Sequence, residues 1–270
     1  MTRSELVQEY LQTLDLDRHA RDFTLIGELV ARHAATFAFS SVGCLLEEEL
    51  PLDFASLFQR IVVDQRGGYC FQHNGLMYGV LEELGFAPKL YLARVIYNED
   101  IHPGLTHRIS MVEHEGSDYV VDVGFGPLGP RIPVPVSDTA APDGDKHFRV
   151  SQRRQGEYHV QVMKDDAFWS LYRFDRVDYG EADCELGHFY SHRHPQATFV
   201  NHLVVSLLLP DEVRSLRNQS YSIITPADTR TREVGDAEQL RQILVDDLGC
   251  AVSNAECQRL FEKIVARTPG

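Results

Sequence analysis

The sequence predicts an α+β protein. Three observations carry that reading: apolar residues recur at helical spacing through the first third, the spacing shortens to alternation through the middle third, and both patterns return in the last third. The chain has 270 residues, 43% hydrophobic and 24% charged, enough for a globular protein of two or three subdomains.

The first third reads as helices. Ser4 can cap one that carries Leu6, Val7, Tyr10 and Leu11, and Thr24 can cap a second with Ile26, Leu29, Val30, His33 and Phe37. Pro51 and Asp53 start a third, whose Phe54, Leu57, Phe58 and Ile61 follow the i, i+3, i+4, i+7 template. A fourth runs from Cys70 to Leu84 and stops at Gly85. Cys70, Asn74, Met77, Leu81 and Leu84 share one of its faces, so the Cys70 thiol points inward at the helix start. Strands are expected at 90–97, 108–113, 119–123, 131–136, 147–151, 158–163 and 168–174, with Gly116, Asp143-Gly144 and Gly156 as turn residues. They predict an antiparallel sheet or barrel. The last third mixes strands at 199–209 and 221–225 with two helices, one capped by Asp236 and one over 254–266. The expected division is 1–86, 87–190 and 191–270, with no repeat or low-complexity linker.

Composition excludes several functions. A net charge of −14 repels phosphate backbones, so no nucleic-acid partner is expected. Such a field leaves room for a small anionic ligand held by local donors. No apolar run is long enough to cross a bilayer, and residues 1–9 lack an apolar signal core. Five scattered cysteines with no close pair suit a reduced, cytoplasmic protein. The Cys70-Phe71-Gln72-His73 and His192-Arg193-His194 stretches complete no ligand set, and no metal is expected. The oligomeric state is left open.

The chemistry concentrates in Arg66-Gly67-Gly68-Tyr69-Cys70, in Thr106-His107, and in Val121-Asp122-Val123-Gly124-Phe125-Gly126. A thiol, an imidazole and a carboxylate can make a nucleophile, its base and the group that orients the base. Only a thiolate attacks well, and a helix N-terminus favours negative charge through its unpaired N–H groups. Gly67 and Gly68 let the backbone bend sharply into the helix, and Arg66 can anchor that turn through a buried ion pair. The strands on either side of Glu115-Gly116-Ser117 form a hairpin. With a loop of two or four residues, His107 and Asp122 project from one face, opposed or diagonal; a loop of three turns one of them away.

Blander explanations stand beside each residue. A buried cysteine is usually core packing, and a strand histidine is more often a satisfied structural residue. Asp122 in a valine-rich strand is more telling, because an unpaired buried carboxylate is costly. The Gly124-to-Pro130 stretch is a turn, or a loop whose free N–H groups meet phosphates or an acyl oxygen. It lacks the spacing of a nucleotide-binding loop.

These blocks resemble the arylamine N-acetyltransferases. The likeness rests on Arg66-Gly67-Gly68-Tyr69-Cys70-Phe71 with Asn74, on Thr106-His107, and on Val121-Asp122-Val123-Gly124-Phe125-Gly126, with looser echoes at Phe199-Val200-Asn201 and Leu216-Arg217-Asn218. The resemblance implies a helical bundle carrying the nucleophile, a β-barrel carrying the histidine and aspartate, and an α/β lid, around a cysteine-protease-like core. It implies Cys70 as nucleophile, His107 as base and Asp122 as orienter. It also implies Phe39, Phe125 and Gly126 at the acceptor, and Gly126, Pro127 and Leu128 near coenzyme A. The reaction implied is transfer of acetyl from acetyl-coenzyme A to an arylamine or arylhydrazine by double displacement. The chain departs from the family at Ala38-Phe39-Ser40-Ser41, where Pro-Phe-Glu-Asn is common, and at Gln72, where Glu is common. Three alternatives stay open: an amide synthase of polyketide biosynthesis, a Cys–His–Asp hydrolase or deamidase, and a binding module with an inert triad.

Overall fold

The structure is a computed structural model that describes residues 1–16 and 22–266. Helix α1 (Arg3–Thr13) begins ahead of the expected Ser4 cap: Thr2 is the N-cap, and Glu5 closes a capping box with it. Helix α2 (Phe23–Thr36) is capped by Asp22, not Thr24, and its carboxylate accepts from the Leu25 amide. In both places a capping-competent residue lies two positions earlier and wins. A two-residue strand, β1 (Phe39–Ser40), and a single turn, α3 (Val42–Leu45), follow. Asp53 caps α4 (Phe54–Phe58) as expected, and the chain widens into a π turn over Gln59–Val63. Helix α5 (Cys70–Glu83) ends against Gly85, which has φ +89°.

The middle of the chain is a nearly closed antiparallel barrel. Its strands are β2 (Lys89–Val95), β3 (His107–His114), β4 (Ser117–Val121), β5 (Val134–Pro135), β6 (Ser137–Asp143), β7 (Lys146–Arg154), β8 (Glu157–Lys164) and β9 (Ala167–Asp175). They run in the order β5-β4-β3-β2-β9-β8-β7-β6, and a Val136–Val150 bridge draws the ends together. The strand expected at 131–136 shrinks to β5. Strand β6 escaped the pattern because it is a largely polar segment containing Pro142, with only Asp143 fully buried. Tyr91, Ile109, Met111, Val120, Phe148, Val160 and Leu171 fill one barrel core. Val112, Val121 and Val123 face the other way, into the core of α1, α2, α4 and α5. The central strands are thus covered on both faces.

The last third contains α6 (Glu181–Arg193), α7 (Thr198–Asn201), β10 (Val204–Leu208), β11 (Val213–Arg217), β12 (Ser220–Ile224), β13 (Thr229–Glu233), α8 (Ala237–Gln242) and α9 (Asn254–Ala266). The strand expected over 199–209 is therefore a helical turn followed by β10. Strand β13 is exposed at every position, so no buried face marks it in the sequence. The second sheet runs β1-β10-β11-β12-β13, with Phe39 opposite Ser206. The N-terminal region therefore supplies an edge of the C-terminal sheet.

Arg66 anchors the turn before α5, as expected, although its ion pairs are only partly buried. Its guanidinium meets Glu48, Glu256 at 2.9 Å and the Ala251 carbonyl at 3.2 Å, which ties α9 to the turn. Gly67 has φ +62°, and a Cβ there would sit 2.2 Å from the Ala38 carbonyl oxygen. Gly116 also has positive φ, +76°, but nothing lies within 4 Å of its Cβ position. Gly116→Ala should therefore cost only the left-handed backbone penalty, about 1–2 kcal/mol. Gly67→Ala must also displace a peptide and should cost more, roughly 3 kcal/mol or above. Urea unfolding of the two variants checks this, and equal losses would contradict it.

Candidate active site

Cys70 opens α5 and is 3% exposed, with its Sγ 3.4 Å from the Thr106 carbonyl oxygen. His107 opens β3 and Asp122 follows β4, and the two strands join in a hairpin whose loop is the pair Glu115-Gly116. Both loop residues have positive φ, +49° and +76°, the conformation of a tight two-residue turn. Ser110 pairs with Val121, so His107 and Asp122 lie diagonally on one face, one of the two arrangements a two-residue loop allows. The His107 Nε2–H donates to Asp122 Oδ2 at 2.7 Å. The neighbouring Cys70 favours the charged form of the same ring, and with Nε2 engaged by Asp122 it is Nδ1 that is left for the sulfur. Thiol, imidazole and carboxylate are therefore brought together in the expected order.

The sequence marks Asn74 as a residue on the face of Cys70 and as part of the family likeness, without a role. In the structure it fixes the carboxylate. Its Nδ2 donates to Asp122 Oδ1 at 2.8 Å and to the Arg108 carbonyl at 2.6 Å, while its Oδ1 accepts from the Val123 amide at 2.8 Å. The Gly124 amide adds a bond to Asp122 Oδ1 at 3.0 Å. The signal was present: Asn74 stands one helical turn after Cys70. Gly124 is required for space, because a Cβ there would come 2.7 Å from Cys70 Cα. Gln72 accepts the Tyr69 amide at 3.3 Å and so keeps the helix cap, but its buried Nε2 finds no partner among the described residues.

Electrostatics separate His107 from other buried histidines. Burial works against a charged His107 ring, but the Asp122 carboxylate outweighs it and lifts the ring to about 10, helped by Cys70. Burial likewise opposes ionised Asp122, yet His107 and Asn74 hold it below its ordinary value. His73 and His188 are each pushed down to about 4, chiefly by burial. Both donate Nε2–H to a backbone carbonyl, of Ala38 and Leu50 respectively. His192, in one of the metal-like stretches, bonds the His188 carbonyl at 2.7 Å.

The sulfur opens onto a cleft of about 650 Å³. Phe39, Phe125, Pro127 and Leu128 line it; Gly126 is not among the described lining residues and lies beside a small recess behind Phe39. The reason is its backbone: at φ +84° the chain turns at Gly126, which carries Pro127 and Leu128 toward the cleft. Tyr97, Trp169, Tyr190 and Phe199 add aromatic walls that composition alone could not assign. Among the described lining residues Arg217 is the only Arg or Lys, and none is Asp or Glu.

The two kinds of histidine set the direction of pH effects. His107 is raised, so its contribution to stability is full below about 6.5 and is lost as pH rises toward about 10. His73 and His188 are lowered, so their neutral packing is undisturbed above about 6.5 and is penalised as pH falls toward about 4. Urea midpoints should therefore peak near neutrality and decline on both sides. In imidazole NMR titrations, one buried ring should stay charged through neutral pH while the others stay neutral; a uniform titration near 6.5 would contradict this.

The chain's relatives carry the same architecture. The profile of the N-acetyltransferase family matches residues 22–257. An arylamine N-acetyltransferase of Escherichia coli is 32% identical over 230 residues, covering 83% of this chain and 81% of that one. The solved arylamine N-acetyltransferase of Salmonella typhimurium superposes with a TM-score of 0.90 at 26% identity, covering 97% and 99% of the two chains. The Mycobacterium marinum arylamine N-acetyltransferase in complex with CoA superposes with a TM-score of 0.89 at 25% identity, covering 95% and 99%. This agreement in sequence and in fold places the chain in the arylamine N-acetyltransferase family, and it is an acyltransferase.

Proposed function

We propose that the chain transfers acetyl from acetyl-coenzyme A to the nitrogen of an arylamine or arylhydrazine through an acetyl-Cys70 intermediate. The observation that carries this reading is the Cys70–His107–Asp122 arrangement at the base of an aromatic cleft whose described lining residues include no Asp or Glu. Segments 1–86, 87–190 and 191–270 would serve as nucleophile carrier, base carrier and lid.

Each step follows from the groups present. Cys70 Sγ attacks the thioester carbonyl, and the sulfur of coenzyme A leaves as the carbonyl reforms. The proton on His107 Nδ1 goes to that leaving sulfur. The neutral ring then takes a proton from the amine nitrogen as it attacks acetyl-Cys70, and the Cys70 sulfur leaves. Asp122 holds the ring and compensates its charge throughout. Phe39, Phe125 and Phe199 supply flat apolar walls for an aromatic acceptor.

The donor side has a physical counterpart too. Coenzyme A is strongly anionic, and this chain carries a net charge of −14. A cleft with Arg217 and no carboxylate among its described lining residues offsets that field locally. Pro127 and Leu128 border the same space and suit the pantetheine arm, and Gly126 supports them by its turn. The CoA complex of the M. marinum relative supports this ligand class. All five cysteines are unpaired, which fits a reducing, cytoplasmic setting. Among the described residues, no helix is long and apolar enough to cross a membrane.

Incubation with acetyl-coenzyme A should add one acetyl group at Cys70, release one equivalent of free coenzyme A thiol, and be reversed when an arylhydrazine is supplied. Cys70→Ala should take up no acetyl. Labelling that amines do not discharge, or undiminished transfer by Cys70→Ala, would defeat the proposal. Acetyl-enzyme lost to water at the same rate with and without amine would favour a hydrolase.

A further inference from the structure

A chain of buried hydrogen bonds runs from α1 to the wall of the cleft. Tyr10 Oη lies 2.7 Å from His33 Nδ1, His33 Nε2 lies 2.7 Å from His73 Nδ1, and His73 Nε2 lies 3.0 Å from the Ala38 carbonyl oxygen. Tyr10, His33 and His73 are all fully buried. The direction of every bond is dictated from one end. A carbonyl only accepts, so His73 carries its proton on Nε2 and its Nδ1 is an acceptor. His33 must then donate from Nε2, which leaves its Nδ1 to accept from the Tyr10 hydroxyl. Both rings are neutral in this arrangement, in keeping with the downward push of burial on each.

The carbonyl at the end of the chain belongs to the residue before Phe39. Its oxygen also packs against Gly67 so closely that a Cβ there would stand 2.2 Å away. The Phe39 ring lines the cleft and meets Phe199 edge-on at 5.7 Å. We propose that Tyr10 and His33 are positioning residues for the acceptor: through His73 they hold the Ala38 peptide, and with it the Phe39 wall. Without the Tyr10 hydroxyl, His33 can adopt the other tautomer. His73 then shifts with it, donating from Nδ1 to His33 Nε2 and turning its Nε2 lone pair to the Ala38 carbonyl, so the hold on Ala38 loosens. The role toward an acceptor rests on the acetyltransferase reading above, whereas the placement of Phe39 does not.

Two readouts separate those claims. In Tyr10→Phe, the KM for an arylamine should rise roughly three- to ten-fold, while the rate of acetyl capture by Cys70 changes by less than about two-fold. In the resting protein, with 4-fluorophenylalanine at position 39, the fluorine resonance should move on Tyr10→Phe. His73→Gln keeps a donor for Ala38 but cuts the link to His33. In that background, Tyr10→Phe should alter neither KM nor the fluorine line. If Tyr10→Phe does not fold, His73→Leu replaces it: it should raise KM and shift the line, whereas His73→Gln stays near the wild type. An unmoved fluorine line, or a Tyr10→Phe protein with lower Tm and unchanged KM, overturns the inference. Wild-type protein that takes no acetyl would defeat the functional reading alone, and the fluorine test would still decide this one.

Discussion

A carboxylate buried without partners would be intolerable, and Asp122 is almost completely buried. What makes it tolerable also organises the site. One oxygen takes Asn74 and the Gly124 amide, the other takes His107. Asn74 belongs to the same helix as Cys70, and His107 to the barrel. The charge thus joins the helical layer to the sheet at the place where sulfur and ring must meet. Removing one partner of such a group leaves the rest buried and uncompensated, at a cost of several kcal/mol in comparable cases.

The partner at the far nitrogen decides what each buried histidine does. His73 and His188 give Nε2–H to peptide carbonyls, which offer too little charge to balance desolvation, and both stay neutral. His107 gives Nε2–H to a carboxylate and becomes the charged member of the set. Three rings in similar burial are sorted by what accepts their proton. Tyr69 donates to His188 at 2.6 Å just as Tyr10 does to His33, so neutral tyrosine–histidine links brace the helical region on two sides.

Much of this was legible before any coordinates. The apolar periodicity of the first four helices and the alternation of the long barrel strands reflect one-sided burial, which leaves a pattern. Strands β6 and β13 left none, because β6 is mostly polar and half-exposed and β13 is fully exposed. The turn at Thr198–Asn201 was hidden inside a run of β-prone residues. At the site, the three reactive residues stood out by their neighbours: paired glycines, a helix start, and a carboxylate among valines. Asn74's part depends on which atoms converge across the helix–barrel boundary, and Gly126's absence from the described cleft lining depends on one φ angle. Contacts of that kind join residues far apart in the chain, and local pattern does not encode them.

If the carboxylate keeps the ring in place to draw the proton from sulfur, its neutral isostere must slow the sulfur's own chemistry, with no cosubstrate present. The rate of Cys70 alkylation by iodoacetamide at neutral pH, in the wild type and in folded Asp122→Asn, reports this. A fall of about ten-fold or more is expected, equivalent to about 1.4 kcal/mol or more. Equal rates in the two proteins would mean that Asp122 has no hold on the thiol, and the chemistry drawn here from the three residues would be wrong.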